Sequence, residues 1–233
     1  MLDAGSSRAH TREFLDGLAA FGVAAPSALV YTHSHWDHVF GGVEVGGLVI
    51  AHELTAAYLL ELASLNWSDE GLDRRVTDGL ASPAHAANVK AELPAPRTVE
   101  VAPPDVVFRD GLDLDLGGVA VRVRHVASDH CADACVMLVE PDAVLFLGDS
   151  TCASPAGAMT AEAAFALRDA IRSFGAEQFV EGHEEAVSSR ATMEELFEKM
   201  RVAEQAVREG RVLNDADEDT AYFVDAFRAG LSG

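Results

Sequence analysis

A short apolar run, Ala28–Thr32 (ALVYT), leads directly into His33-Ser34-His35-Trp36-Asp37-His38. The run has strand length and is bounded at once by polar residues, so it reads as a buried strand ending in a turn. Four side chains able to ligate a metal fall within six residues of that turn, where they can converge on one point. Neutral imidazole and carboxylate suit zinc or non-haem iron. The lack of thiolates here argues against a structural cysteine-type zinc site.

The same arrangement recurs further along. His130 follows the apolar run Val119–Val126, Asp149 follows Ala143–Leu147, and His183 follows Phe179-Val180. Gly148 and Gly182 stand beside two of them and permit close backbone approach. Taken singly, each is an ordinary loop residue. With the hexapeptide they form an ordered set.

Between these points the pattern alternates. Residues 8–21 place Phe14, Leu18 and Phe21 on one helical face, with Ser6/Ser7 as caps and Gly22 as a stop. Residues 44–51 read as a strand and 53–65 as a helix. Residues 66–97 are polar and Pro-punctuated, an inserted lid or loop with a helix over 84–91 that could face substrate. Strands are expected over 98–101, 106–109, 112–116, 119–126, 136–140, 143–147 and 178–180, and helices over 161–174, 191–209 and 221–231. Two batches of strands with accompanying helices suit a pair of sheets covered by helices, a mixed α/β (α+β) fold in a single domain, 1–233, closed by C-terminal helices over 190–233.

With these residues in view, the sequence resembles the metallo-β-lactamase superfamily over nearly its whole length. Leu2-Asp3-Ala4-Gly5 is similar to the first family motif, His33/His35/Asp37/His38 to the HxHxDH motif, and His130, Asp149 and Gly182-His183 to the remaining three. The resemblance implies the four-layered αββα sandwich. It implies that His33, His35 and His130 hold one metal and Asp37, His38 and His183 the other, with Asp149 bridging and Asp3 supporting the site from behind a ligand. Zinc is the expected ion, two per chain, with iron or manganese as alternatives. The family has strands ahead of its first motif, which here begins at residue 2. The N-terminal sheet is therefore expected to lack its first strands and to have an open or partner-covered edge, homodimerisation being one way of covering it.

The activity so implied is hydrolysis by a water activated between two metals, with Asp37 as the catalytic residue that orients the water or moves its proton. A bridging aspartate turns the reading from true β-lactamases toward glyoxalase-II-like thioesterases and lactonases acting on an ester, thioester or lactone. Phosphodiesterase and β-lactamase activities are less favoured. A persulfide dioxygenase with a single iron is the alternative. Flavodiiron proteins carry Glu where His35 stands and are disfavoured.

Charge limits the partners. The chain has 38 acidic against 17 basic residues, and Arg74-Arg75 and Arg122/Arg124 are the densest basic spots. Nucleic acid and anionic membranes require clustered cations, so a small-molecule substrate is expected instead. No stretch is apolar enough to span a bilayer and no signal peptide is legible. Three sparse cysteines, Cys131, Cys135 and Cys152, fit a reducing cytoplasm. Cys131 reads as a packing residue; Tyr31 and Trp36 are expected to pack or to line the pocket. His10, His52, His85 and His125 read as surface or structural histidines, with His52 and His125 also weighed as substrate contacts or supports of the site.

Overall fold

A computed structural model describes residues 1–231. The chain packs as two units, Met1–Arg109 and Asp110–Gly233.

The first unit contains α1 (Arg8–Ala20), β1 (Ala28–Val30), α2 (Trp36–Val39), α3 (Gly42–Val45), β2 (Leu48–His52), α4 (Glu53–Ser64), α5 (Asp69–Thr77), α6 (Pro83–Glu92) and β3 (Val106–Phe108). Its three strands are parallel in the order β1-β2-β3, so each connection must cross over, and helices supply the crossings. Leu29, Tyr31, Val49 and Ala51 from the sheet pack with Val39, Phe40, Leu59, Leu72 and Val89 from the helices. On the free side of β1, Leu2 bridges Val30, and Asp3 N–H donates to the Val30 carbonyl (3.0 Å). That bridge carries Asp3 to the C-terminal end of β1.

The second unit contains β4 (Gly111–Asp115), β5 (Ala120–His125), β6 (Cys135–Glu140), β7 (Val144–Gly148), α7 (Ala161–Ser173), β8 (Gln178–Glu181), β9 (Ser188–Ser189), α8 (Arg190–Arg208) and α9 (Glu218–Gly230). The sheet order is β4-β5-β6-β7-β8-β9, antiparallel except for β7 with β8. β5 alternates, burying Val121 and Val123 while Arg122 points out. β6 is buried over four consecutive residues because both of its faces are covered. Its Val136 and Leu138 pack with Leu145, Leu147, Leu167, Ile171, Phe197 and Phe227.

The topology explains why the loop ligands gather. β5 and β7 both run antiparallel to β6, and β8 runs parallel to β7. The C-terminal ends of β5, β7 and β8 therefore share one edge, from which His130, Asp149 and His183 leave.

The mixed α/β class, two sheets flanked by helices, matches the sequence expectation, but several local readings change. Residues 44–51 are not one strand: α3 ends at the left-handed pair Gly46 (φ 69°) and Gly47 (φ 75°), and β2 starts after them. Residues 66–97 carry two helices rather than one. Ser68 accepts from Gly71 N–H (3.2 Å) and Ser82 from His85 N–H (3.0 Å), so each is capped. Their apolar period is faint because α5 buries only Leu72, and α6 only Ala86 and Val89. Residues 98–101 form no strand; Val99 and Val101 pack on the core from an extended segment without ladder bonds, ahead of Pro103-Pro104.

Candidate metal centre

In the first unit the ligand-bearing turn lies between β1 and α2. His33 and His38 are buried, while His35 and Asp37 are half-buried. The rings of His33 and His35 lie 4.6 Å apart by centroid, and those of His33 and His38 4.1 Å. Ligand atoms of Asp3, His33 and His38 fall within 4.8 Å of one another.

The protons of these rings follow from their partners. Asp3 Oδ1 accepts from Thr32 N–H and Oδ2 from the Thr32 hydroxyl, both at 2.7 Å. The Thr32 hydroxyl thus spends its proton on Asp3 and accepts from His33 Nδ1 at 2.9 Å. His38 Nδ1 donates to Asp3 Oδ2 at 2.8 Å. Both rings carry the proton on Nδ1, which leaves the lone pair on Nε2, the form in which imidazole ligates a metal. Asp3 has φ 50°, a left-handed conformation that aspartate tolerates better than most residues.

The second unit has a cluster of its own. His130 Nδ1 donates to the Ala153 carbonyl (3.0 Å), again placing the lone pair on Nε2. That Nε2 lies 3.5 Å from Asp149 Oδ2, and His183 Nε2 lies 3.1 Å from the same oxygen. One buried carboxylate thus stands between two imidazoles. His183 is largely exposed and has φ 65°, a strained left-handed backbone of the kind that collects at functional sites. A Cβ on Gly182 would overlap Asp149 Oδ1, so this position needs glycine.

Within each unit the donors fit a divalent cation of zinc or iron type: imidazoles, with Nδ1 of His33, His38 and His130 engaged, carboxylates, and no thiolate. Burial, then Asp149, Glu181 and Glu184, push the Cys152 thiol up to about 12. Burial, then Asp133 and Asp149, push Cys131 higher still. Both are protonated thiols at neutral pH, in keeping with a packing role for Cys131.

The family model for the metallo-beta-lactamase superfamily matches residues 1–200. The chain belongs to the metallo-beta-lactamase superfamily.

Solved structures of that superfamily share the fold. A metallo-beta-lactamase family protein from Thermus thermophilus matches 99% of this chain and 82% of its own, with TM-score 0.62 and 19% identity. A metallo-beta-lactamase from Pontibacter korlensis matches 84% and 79%, with TM-score 0.54 and 18% identity. The inverting sec-alkylsulfatase from Pseudomonas sp. matches 99% of this chain but 45% of its own, with TM-score 0.65 and 12% identity. At these identities the likeness concerns the fold alone. No curated protein matches the chain. Among the described residues, no helix is long and apolar enough to cross a membrane.

Several residues that tie the loops of His130, Asp149 and His183 together were not legible. Ser128 Oγ donates to the Ser150 carbonyl (2.9 Å) and accepts from His130 N–H (3.1 Å), tying the His130 loop to the Asp149 loop. Thr151 Oγ1 donates to Glu181 Oε1 (2.6 Å), and Gly182 N–H to the Gly148 carbonyl (2.7 Å), tying the Asp149 loop to the His183 loop. Burial, with help from Glu184 and Asp219, raises the Glu181 pKa against the lowering effect of Thr151. These are common residues, and Ser128, Thr151 and Gly182 reach partners 22, 30 and 34 positions away. His52 proves structural: its Nδ1 accepts from Leu54 N–H (3.2 Å) and caps α4. His125 Nε2–H donates to the Ala132 carbonyl (2.8 Å), and His10 pairs with Ser6 Oγ (3.0 Å). His85 on α6 differs from these, with its ring edge-on to Trp36 at 6.1 Å.

Proposed function

We propose that this chain is a metal-dependent hydrolase of small-molecule esters, thioesters or lactones, similar in ligand set to glyoxalase II. One observation carries the reading: Asp149 Oδ2 lies 3.5 Å from His130 Nε2 and 3.1 Å from His183 Nε2, two histidines that family resemblance assigns to different ions. A carboxylate between two imidazoles suits a bridging ligand. On this reading His33, His35 and His130 hold one cation, Asp37, His38 and His183 the other, and Asp149 both. Zinc is the proposed ion, with iron or manganese as alternatives, and the cytoplasm the proposed compartment.

When bound, a pair of divalent cations lowers the pKa of a shared water and polarises the scissile carbonyl. The remaining work falls to the protein. Asp3, through His38, and Thr32, through His33, fix which imidazole nitrogen faces the reaction. Asp37, half-buried at the start of α2, orients the attacking water and accepts its proton.

The test is metal analysis of the purified protein with a screen of esters, thioesters, lactones, phosphodiesters and, given the alkylsulfatase neighbour, sulfate esters. Two divalent ions per chain, hydrolysis of a carboxylic ester class, and loss of turnover in Asp37→Ala are expected. A single iron with O₂ uptake on glutathione persulfide, or full turnover in Asp37→Ala, would overturn it.

A further inference from the structure

Helix α5 of residues 66–97 carries a cation that an aromatic cluster links to the ligand-bearing turn. Arg75 on α5 stacks its guanidinium over Trp67, 4.2 Å from the ring centroid. Trp67 is itself fixed: its Nε1–H donates to the Leu62 carbonyl (3.0 Å), and Phe40 meets it edge-on at 4.9 Å. Phe40 in turn contacts Trp36, which receives His85 of α6 on its other contact. Trp36 directly precedes Asp37.

Arg75 Nε and Nη2 are both buried and have no hydrogen-bond partner. These two nitrogens form the side-on edge of the guanidinium, whose parallel N–H groups match the two oxygens of a carboxylate. The chain has 38 acidic residues, yet none pairs with Arg75 among the described residues. Its neighbour on the same tryptophan, Arg97, gives Nη1 to Asp69 at 2.7 Å. A charged donor pair left without an acceptor is costly, and such a pair calls for an explanation in a bound group. Burial lowers the Arg75 pKa, as expected where no anion compensates the charge. The Arg75 charge also reaches His85: burial and Arg75 lower that imidazole's pKa, and Asp37 raises it. Trp36 thus joins His85 to the turn that carries Asp37, and Phe40 and Trp67 continue the same cluster to Arg75, all within the first unit.

We propose that Arg75, with His85 of the same aromatic cluster, is the recognition site for a carboxylate carried by the substrate. The inference rests on the hydrolase reading and narrows it to esters, thioesters or lactones bearing a free carboxylate. The guanidinium edge takes the two carboxylate oxygens, Trp67 holds the cation in plane, and His85 offers a ring N–H to the same group. Arg75 as a whole is half-buried, so its side chain borders solvent while the unpartnered edge is covered.

Trp36 and Trp67 are the chain's two tryptophans, so intrinsic fluorescence reports on this cluster and needs no turnover. Glutarate titrated into the metal-loaded protein should change the emission saturably, and the neutral isostere glutaramide should not. Arg75→Met, which keeps the apolar stem, should weaken the glutarate response at least tenfold. Arg75→Lys, which keeps the charge but not the fork, should fall between, and it carries the test if Arg75→Met does not fold. With a matched pair of esters, one neutral and one ending in a carboxylate, the variants should raise KM for the anionic ester alone and leave kcat within twofold. An unchanged glutarate response in both variants, an equal response to glutaramide, or no response in the wild type would overturn the proposal. Metal-dependent turnover of the neutral ester alongside any of these results would leave the hydrolase reading standing without it.

Discussion

Asp3 Oδ2 lies 2.8 Å from His38 Nδ1 and also accepts the Thr32 hydroxyl, whose oxygen takes the His33 proton. One carboxylate near the chain start thus sets the tautomer of two buried histidines. Asp3→Ala should weaken zinc binding by roughly 10- to 100-fold, the usual cost of losing a group that orients a ligand. Competition titration against a chromophoric chelator measures it. An unchanged zinc affinity with native circular dichroism would show that Asp3 does not orient these rings.

Gly182 lies against the Asp149 carboxylate, so Gly182→Ala must displace either the loop or the ligand. Lost metal content with a secondary-structure spectrum like the wild type is the expected result. Metal analysis beside circular dichroism tells this apart from global unfolding, and full occupancy in the variant would count against the close packing of Gly182 on Asp149.

Leu145 on β7 is fully buried among Val136, Leu167 and Phe179. Truncation to alanine should cost about 2–5 kcal/mol, from lost transfer energy and the cavity left behind. Because Leu145 sits four residues before Asp149, the variant should also hold metal less tightly on heating. Thermal melts with and without zinc report both effects.

The thiols set an alkaline limit. Burial first, then nearby carboxylates, push Cys152 up to about 12 and Cys131 beyond it, whereas an unfolded thiol titrates near ~8.5. Groups whose folded pKa is raised contribute fully below the unfolded value and lose that contribution as pH climbs toward the folded one. The urea midpoint of the metal-free protein should therefore fall steadily from about pH 8.5 upward. Cys131→Ala/Cys152→Ala should flatten that decline, and a midpoint constant from pH 8 to 10.5 would contradict the shifts. Iodoacetamide at pH 8 should label these residues only after unfolding.

The ligand turn was legible because its signal is local: four ligand-type side chains within six residues need no knowledge of distant contacts. Asp149 and His183 were legible for a similar reason, each sitting where an apolar run ends beside glycine. The helix α5 was missed because its buried face is a single leucine, Leu72, which leaves almost no apolar period to read. Residues 98–101 looked like a strand from β-branched content, but ladder bonds depend on a neighbouring strand that composition does not reveal.

Sequence alone therefore determined which side chains can ligate, that they leave strand ends, and that the chain belongs with two-sheet α/β proteins. Those are properties of residue type and short-range period. Only the tertiary structure decided which nitrogen of each histidine bears the proton, that Glu181 reaches Thr151 to join two ligand loops, and that Arg75 stands on Trp67 without a carboxylate partner. The first two rest on pairings between residues well separated along the chain, such as Asp3 with His38 and Thr151 with Glu181, and the third on how α5 folds back over Trp67. Such pairings are set by strand direction, sheet order and burial, and no window of sequence contains them.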